Sequence, residues 1–211
     1  MIGKFIVLEG IDGCGKTTQC KLLKEYLINK GYELIYTREP GGTLVGEQIR
    51  DILLDKKNSN MYPVSEAFLY AAARAQLVDE KIKPAINGGM LVICDRFVDS
   101  TLAYQGYGRG ISIGLLEQIN DIATGSLKPD LVIILDLDVE TSNLRLRKKT
   151  ADDRLEMENK AFYENVRRGY LEIARDKGNY VVLDASLSID ELHKRILSVL
   201  EERLFESSNR A

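Results

Sequence analysis

Gly10-Ile11-Asp12-Gly13-Cys14-Gly15-Lys16-Thr17 is the stretch that decides the fold of this chain. It carries glycine, glycine, lysine and threonine at every fixed position of the phosphate-binding loop pattern. An apolar run of strand length, Lys4–Leu8, stands directly before it. An amphipathic stretch with Leu22, Leu23, Tyr26 and Leu27 on one face stands directly after it. That setting, strand then glycine-rich turn then helix, is what phosphate binding requires. Glycine lets backbone N–H groups turn inward around phosphate oxygens, and the helix after the turn adds its positive end. Lys16 supplies a mobile charge to the β- and γ-phosphates, and the Thr17 hydroxyl is a ligand for Mg²⁺. The expected donor site is therefore Gly10, Ile11, Asp12, Gly13, Cys14, Gly15, Lys16, Thr17 and Thr18, with ATP as the bound nucleotide.

Working outward, short apolar runs alternate with longer helical patterns. Further strands are expected at Glu33–Thr37, Leu91–Asp95, Leu131–Asp136 and Tyr180–Leu183. They are rich in Val, Ile and Leu and most lack clean alternation, as strands covered on both faces do. Helices are expected from about Val64 to Ile86 and from about Asn159 to Lys177. A last one opens on a capping box from Ser188 to Glu191 and turns Leu192, Ile196, Leu200 and Leu204 inward. Alternation of this kind gives an α/β fold, a five-stranded parallel sheet with helices on both faces. No repeat, linker or composition break divides the chain. One domain over residues 1–211 is expected, with a core of about 4–204 and a frayed end at Ser207–Ala211.

Composition excludes several classes. With 45% hydrophobic and 29% charged residues the chain has the balance of a folded soluble domain. A formal net charge of −3 offers no basic field for a nucleic-acid backbone. No apolar run reaches membrane-spanning length, and Met1 leads straight into a strand, so neither membrane nor signal peptide is expected and the location reads as cytoplasmic. Cys14, Cys20 and Cys94 are too few and too oddly spaced for a disulfide framework or metal site.

Ligands of parallel sheets bind beyond the carboxyl ends of the strands, so the residues there define the second substrate. The single histidine, His193, lies on the last helix and reads as a solvated surface residue. No other general base presents itself. A hydroxyl acceptor has a proton to lose, whereas a nucleoside monophosphate offers an oxygen that is already anionic and needs cations instead. Arginines are placed for that: Arg38 after the second strand, Arg74 on the long helix, Arg96 after the third strand, and Arg109, Arg147 and Arg154 in segments able to close over the site. Guanidinium forks hold phosphate in two bonds and stay charged. Asp95, ending the third strand, is placed to steer Mg²⁺, through water. A protein carrying the guanine-reading Asn-Lys-x-Asp is excluded, because neither Asn29-Lys30 nor Asn159-Lys160 continues that way.

From about Lys4 to Leu204 the sequence resembles bacterial thymidylate kinases. The resemblance rests on Glu9-Gly10-Ile11-Asp12-Gly13 with the phosphate loop, Thr37-Arg38-Glu39-Pro40-Gly41-Gly42-Thr43, Asp95-Arg96-Phe97 through Ser100 to Ala103-Tyr104-Gln105-Gly106, and Asp153-Arg154-Leu155-Glu156. It implies ATP-dependent phosphorylation of dTMP to dTDP, with Mg²⁺ and a homodimer built on the long helices. It also implies that Asp12 helps hold the acceptor phosphate and that Arg38 and Arg96 grip it. Arg74 and Gln105 would read the thymine edge, and Tyr70, where relatives commonly have Phe, would stack on its face. Ser100 and Thr101 would lie along the base, and Tyr104 would crowd the 2′ position of the sugar. The family supplies a catalytic arginine either from the phosphate loop or from a lid. Gly13 removes the first option, which leaves a lid at about 145–154 and Arg147 or Arg154 as the arginine, beside Lys16, Asp12 and Arg96. A kinase for another nucleoside monophosphate or a deoxynucleoside, and a switch protein that binds ATP without transferring phosphate, are the alternatives.

Overall fold

A computed structural model of the chain describes residues 3–146, 154–155 and 158–205. Five strands, β1 (Phe5–Glu9), β2 (Leu34–Arg38), β3 (Leu91–Asp95), β4 (Leu131–Asp136) and β5 (Tyr180–Asp184), form one parallel sheet in the order β2-β3-β1-β4-β5. The loop strand β1 is central, pairing Ile6 with Ile93 on one side and with Leu131 on the other. Every residue of β1 and β3 is buried. Because successive side chains point to opposite faces, full burial means that both faces are covered. Each buried Ile, Val or Leu there contributes about 1.5–3 kcal/mol of transfer free energy, so the middle of the sheet is the anchor of the fold.

The helices are α1 (Lys16–Asn29), α2 (Leu44–Leu54), α3 (Pro63–Leu77), α4 (Lys83–Asn87), α5 (Val98–Thr101), α6 (Ile113–Thr124), α7 (Val139–Leu146), α8 (Lys160–Ala174) and α9 (Ile189–Leu200). The segments Val78–Ile82 and Leu102–Gly108 are π-helical, so α3 runs on through the first of them into α4. α1 packs against β1, β2 and β3 and against α9, while α8 packs against β4 and β5.

The expected strands are all present, three of them displaced or extended by a residue: β1 and β2 lie one residue later, and β5 runs on to Asp184. The long helix expected at 64–86 exists from Pro63, with the π turn inside it. The helix expected at 159–177 ends at Ala174, where Asp176 takes a left-handed φ of 61°. The capping box on α9 is formed, and Leu192, Ile196, Leu200 and Leu204 are buried. The chain end Ser207–Ala211 lies outside the described residues. Among the described residues no helix is long and apolar enough to cross a membrane.

Candidate active site

The phosphate loop turns out of β1 into α1. Gly10 has φ 137°, and a Cβ there would sit 2.5 Å from the Leu135 carbonyl oxygen; Gly15, with φ 101°, caps α1. Lys16 folds back across the loop, its Nζ donating to the carbonyls of Gly10 (3.0 Å) and Ile11 (2.9 Å). Thr17 donates its hydroxyl to Asp95 Oδ2 at 2.6 Å. A hydroxyl and a carboxylate oxygen side by side, next to a phosphate cradle, are the hard donors Mg²⁺ prefers, so these residues fit that ion. Cys14 is fully buried in the loop.

A continuous cleft of about 710 Å³ opens from this loop in two directions. Toward α9 it is lined by Ser186, Leu187, Ile189 and Leu192. Arg145, at the end of α7, closes that side by donating to the carbonyls of Gly13 (3.4 Å) and Ala185 (3.1 Å). Toward α2 and α3 the cleft is lined by Arg38, Arg50, Tyr70, Thr101, Tyr104 and Gln105.

Between the two arms sits a charge cluster. Arg96 Nη2 donates to Asp12 Oδ1 at 2.6 Å and Tyr104 donates to Asp12 Oδ2 at 2.7 Å. Arg96 Nη1 donates to the Gly10 carbonyl, to Ser100 Oγ and to Tyr170. Burial pushes the Asp12 carboxyl up, but the charges of Arg96 and Lys16 and the Tyr104 hydroxyl outweigh it and bring it down to about 2. Arg96 has a left-handed φ of 74°, a conformation that costs a non-glycine residue energy and is held here by its bonds. Arg38 is tied more loosely, to the Pro40 carbonyl and to Glu47 at 2.9 Å each.

Underneath the cluster lies Glu9, fully buried at the end of β1. It accepts from the Phe97 backbone (2.6 Å), from the Ser100 hydroxyl (2.6 Å) and from Tyr170 on α8 (3.0 Å). Burial, then the neighbouring Asp99, push its carboxyl up to about 7, against the opposing pull of Arg96, Ser100 and Phe97.

Most residues expected from the sequence meet here. Gly13, Cys14, Gly15, Lys16, Thr17, Thr18, Asp12, Arg38, Tyr70, Asp95, Arg96, Ser100, Thr101, Tyr104 and Gln105 all line the cleft. Gly10 and Ile11 act through backbone carbonyls, holding Lys16. Four expectations need correction or qualification. Arg74 does not line the cleft: it is 1% exposed, and its guanidinium is taken up by Glu39, Thr101, Asn120 and the Phe97 carbonyl. Its position behind Thr101 follows from its place on the inner face of α3. Arg154 is buried away from the cleft, bound to Glu66 and to the Leu53 carbonyl. Arg109 is likewise ion-paired, to Glu66 and Glu158. His193 is half-buried, not solvated, with Nδ1 3.2 Å from Gln19 Oε1. Arg147 lies outside the described residues.

Sequence reasoning missed Glu9, Tyr170, Arg50, Arg145 and Glu66. Only Glu9 carried a signal: an acid closing an otherwise apolar strand, Phe5-Ile6-Val7-Leu8-Glu9.

Comparison with known proteins agrees with this geometry. The family model described as thymidylate kinase matches residues 8–196. The chain is 48% identical over 205 residues to the thymidylate kinase of Caldanaerobacter subterraneus subsp. tengcongensis, covering 97% of this chain and 98% of that one. It is 52% identical over 206 residues to that of Pelotomaculum thermopropionicum, covering 97% and 95%. Among solved structures, the thymidylate kinase from Ehrlichia chaffeensis superimposes with a TM-score of 0.77 at 36% identity, covering 95% of this chain and 99% of that one.

Proposed function

This chain belongs to the thymidylate kinase family, and from that premise we infer how its own residues transfer the γ-phosphoryl group of ATP to dTMP, giving ADP and dTDP. The observation that carries the reading is one cleft with the phosphate loop and Arg96 at its centre, Arg38 and Arg50 on one arm and the Ser186–Leu192 wall on the other. Two nucleotides enter such a cleft from opposite ends and meet over the loop.

The donor phosphates take over the loop N–H groups and draw Lys16 off the Gly10 and Ile11 carbonyls, while the adenine lies along Leu187, Ile189 and Leu192. The dTMP phosphate is gripped by Arg38 and Arg96, with Asp12 fixing Arg96, and Tyr104 crowds the 2′ position of the sugar. Tyr70 stacks on the base and Gln105 faces its edge; Arg74 acts from behind, through Thr101. An oxygen of the dTMP phosphate attacks the γ-phosphorus, and the bond to the β–γ bridging oxygen breaks as ADP leaves. The acceptor is already an anion, so no base is needed and catalysis consists of positioning and charge neutralisation. Mg²⁺, held from Thr17 and, through water, from Asp95, would neutralise the β- and γ-phosphates. Arg147, on the lid that the family resemblance implies, meets the charge that develops between the phosphates.

Two further readings accompany this one. The protein is cytoplasmic, in keeping with a soluble composition. It is a homodimer through the apolar face made by Val64 and Phe68 on α3 with Leu115 and Ile122 on α6, all exposed in the single chain. The testing experiment is ADP production from ATP·Mg²⁺ with a panel of nucleoside monophosphates and thymidine. Strong stimulation by dTMP alone is expected. Equal stimulation by another monophosphate, or none by dTMP, removes the reading.

A further inference from the structure

We propose that Glu66 fixes which end of the Gln105 amide faces the base, and so selects pyrimidines that carry a hydrogen on N3. The proposal rests on the reading that Gln105 faces the base edge.

Glu66 lies on α3, one turn before Tyr70, and is 1% exposed. Donors converge on it from three residues. Gln105 Nε2 reaches Oε1 at 2.8 Å; Arg109 reaches Oε1 and Oε2 at 3.3 Å each; Arg154 Nη2 reaches Oε2. Arg109 is itself anchored by Glu158 at 2.6 Å, and Arg154 by the Leu53 carbonyl at 3.0 Å. Burial pushes the Glu66 carboxyl up, but the Gln105 hydrogen bond and the charges of Arg109 and Arg154 outweigh it and leave it below the ordinary value. Glu66 is therefore an anion held in place, and an ionised carboxylate only accepts hydrogen bonds.

A glutamine amide has one donor end and one acceptor end, and turning it over exchanges them. Beside a fixed carboxylate only one orientation is tolerated, with Nε2 toward Glu66. The Oε1 end must then face the other way. No donor among the described residues reaches that oxygen, and it is not among the buried polar atoms left without a partner, which are Thr37 Oγ1 and Glu39 Oε1. Gln105 is 1% exposed and lines the cleft, and we place its unpaired oxygen on that side. The pocket thus presents an acceptor. Thymine and uracil offer N3–H to it. Cytosine offers a lone pair on N3, which leaves two acceptors face to face and both unsatisfied. A buried polar mismatch of this kind is what gives strong discrimination. Without the anion behind it, the amide is free to turn and donate to cytosine.

The test is the ratio of kcat/KM for dTMP over that for 5-methyl-dCMP, which keeps thymine's methyl group. Glu66→Gln puts a neutral amide behind Gln105, so the preference should fall about tenfold or more, with the ATP KM unchanged. Placed on top of Gln105→Met, which has no amide to orient, Glu66→Gln should lower the preference no further. A folded Glu66→Gln enzyme with its preference intact overturns the proposal, and so does an additional fall in the Gln105→Met background. If Gln105→Met alone leaves the preference intact, the base-edge reading of Gln105 falls and the proposal with it. Should Glu66→Gln not fold, Glu66→Asp keeps the charge beside Arg109 and Arg154 but draws it back from Gln105, and is held to the same ratio.

Discussion

Arg96 and Asp12, 84 residues apart in the chain, meet at 2.6 Å between the turn after β3 and the phosphate loop. On the proposed reading, the arginine that grips the acceptor phosphate is thus tied to the loop that holds the donor, and this one charge pair would help set the spacing between the two nucleotides.

Asp12→Asn should lower kcat/KM for dTMP about tenfold or more, because a charged hydrogen bond to Arg96 is weakened, with a smaller effect on the ATP KM. Stability supplies a second readout. The Asp12 carboxyl goes from an ordinary 3.8 down to about 2 in the folded protein. A depressed carboxyl stabilises the fold above its unfolded value and loses that contribution as pH falls through the folded one. The stability gap between wild type and Asp12→Asn should be constant above about pH 4 and close toward pH 2. Urea titrations across that range check it.

Lys16→Ala should abolish turnover while dTMP binding, measured by calorimetry, stays near normal. Among the described residues the hydrogen bonds of Lys16 Nζ go to the phosphate loop, to the Gly10 and Ile11 carbonyls and the Cys14 sulfur. Losing one positioned charge costs on the order of a hundredfold or more in rate. Near-normal kcat in a folded variant removes the donor assignment.

The two lid-region arginines should separate cleanly. Arg154 is buried against Glu66 and the Leu53 carbonyl, so Arg154→Ala should lower stability by about 3 kcal/mol, as loss of one partner in a buried pair does. Arg147→Ala should lower kcat by about a thousandfold with Tm and both KM values little changed. Thermal melts and steady-state kinetics on both variants decide, and the opposite pattern exchanges the two roles.

Arg74→Lys should lower Tm and raise the dTMP KM without raising the ATP KM. A lysine has three donors where arginine has five, so Glu39, Thr101, Asn120 and the Phe97 carbonyl cannot all be served. A proportional rise in both KM values would place the damage in the fold instead.

Glu9→Gln tests the buried acid. Its carboxyl stands at about 7 in the folded protein against an ordinary 4.5. A raised carboxyl favours the fold while protonated, and that contribution fades as pH climbs from the unfolded value through the folded one. Glutamine mimics the protonated form at every pH. The variant should gain on the wild type between pH 4.5 and 7 and hold a gain of about 3 kcal/mol above it. A gap that does not change with pH counts against the shifted acid.

The phosphate loop, the five strands and the α9 cap were legible because each depends on a local pattern: glycine spacing, a run of Val and Ile, a serine three residues before a glutamate. The helices α2 and α6 were not named, although both keep an apolar face at helical period; Leu44 and Ile122 are exposed apolar residues on them. Arg38, Arg96 and Asp12 were legible by their position at strand ends. The roles of Arg74, Arg154 and Glu66 were not, because a buried arginine and a solvated one look alike until the partner across 35 or 88 residues is known.

The π-helical turn at Leu102–Gly108 has a consequence for chain length. It carries Tyr104 and Gln105, both facing the cleft, and a wider turn of this type holds one residue more than an α-helical turn. Deleting one residue there would let the segment relax to an ordinary α-helix, which keeps the flanking residues near their register but redistributes the side chains inside the segment around its axis. Tyr104 or Gln105 would leave the pocket although every side chain needed for the chemistry was still encoded. Surface loops absorb such one-residue gaps readily. In this segment the count of residues is constrained as tightly as their identity, and a deletion scan should find it the least forgiving stretch outside the phosphate loop.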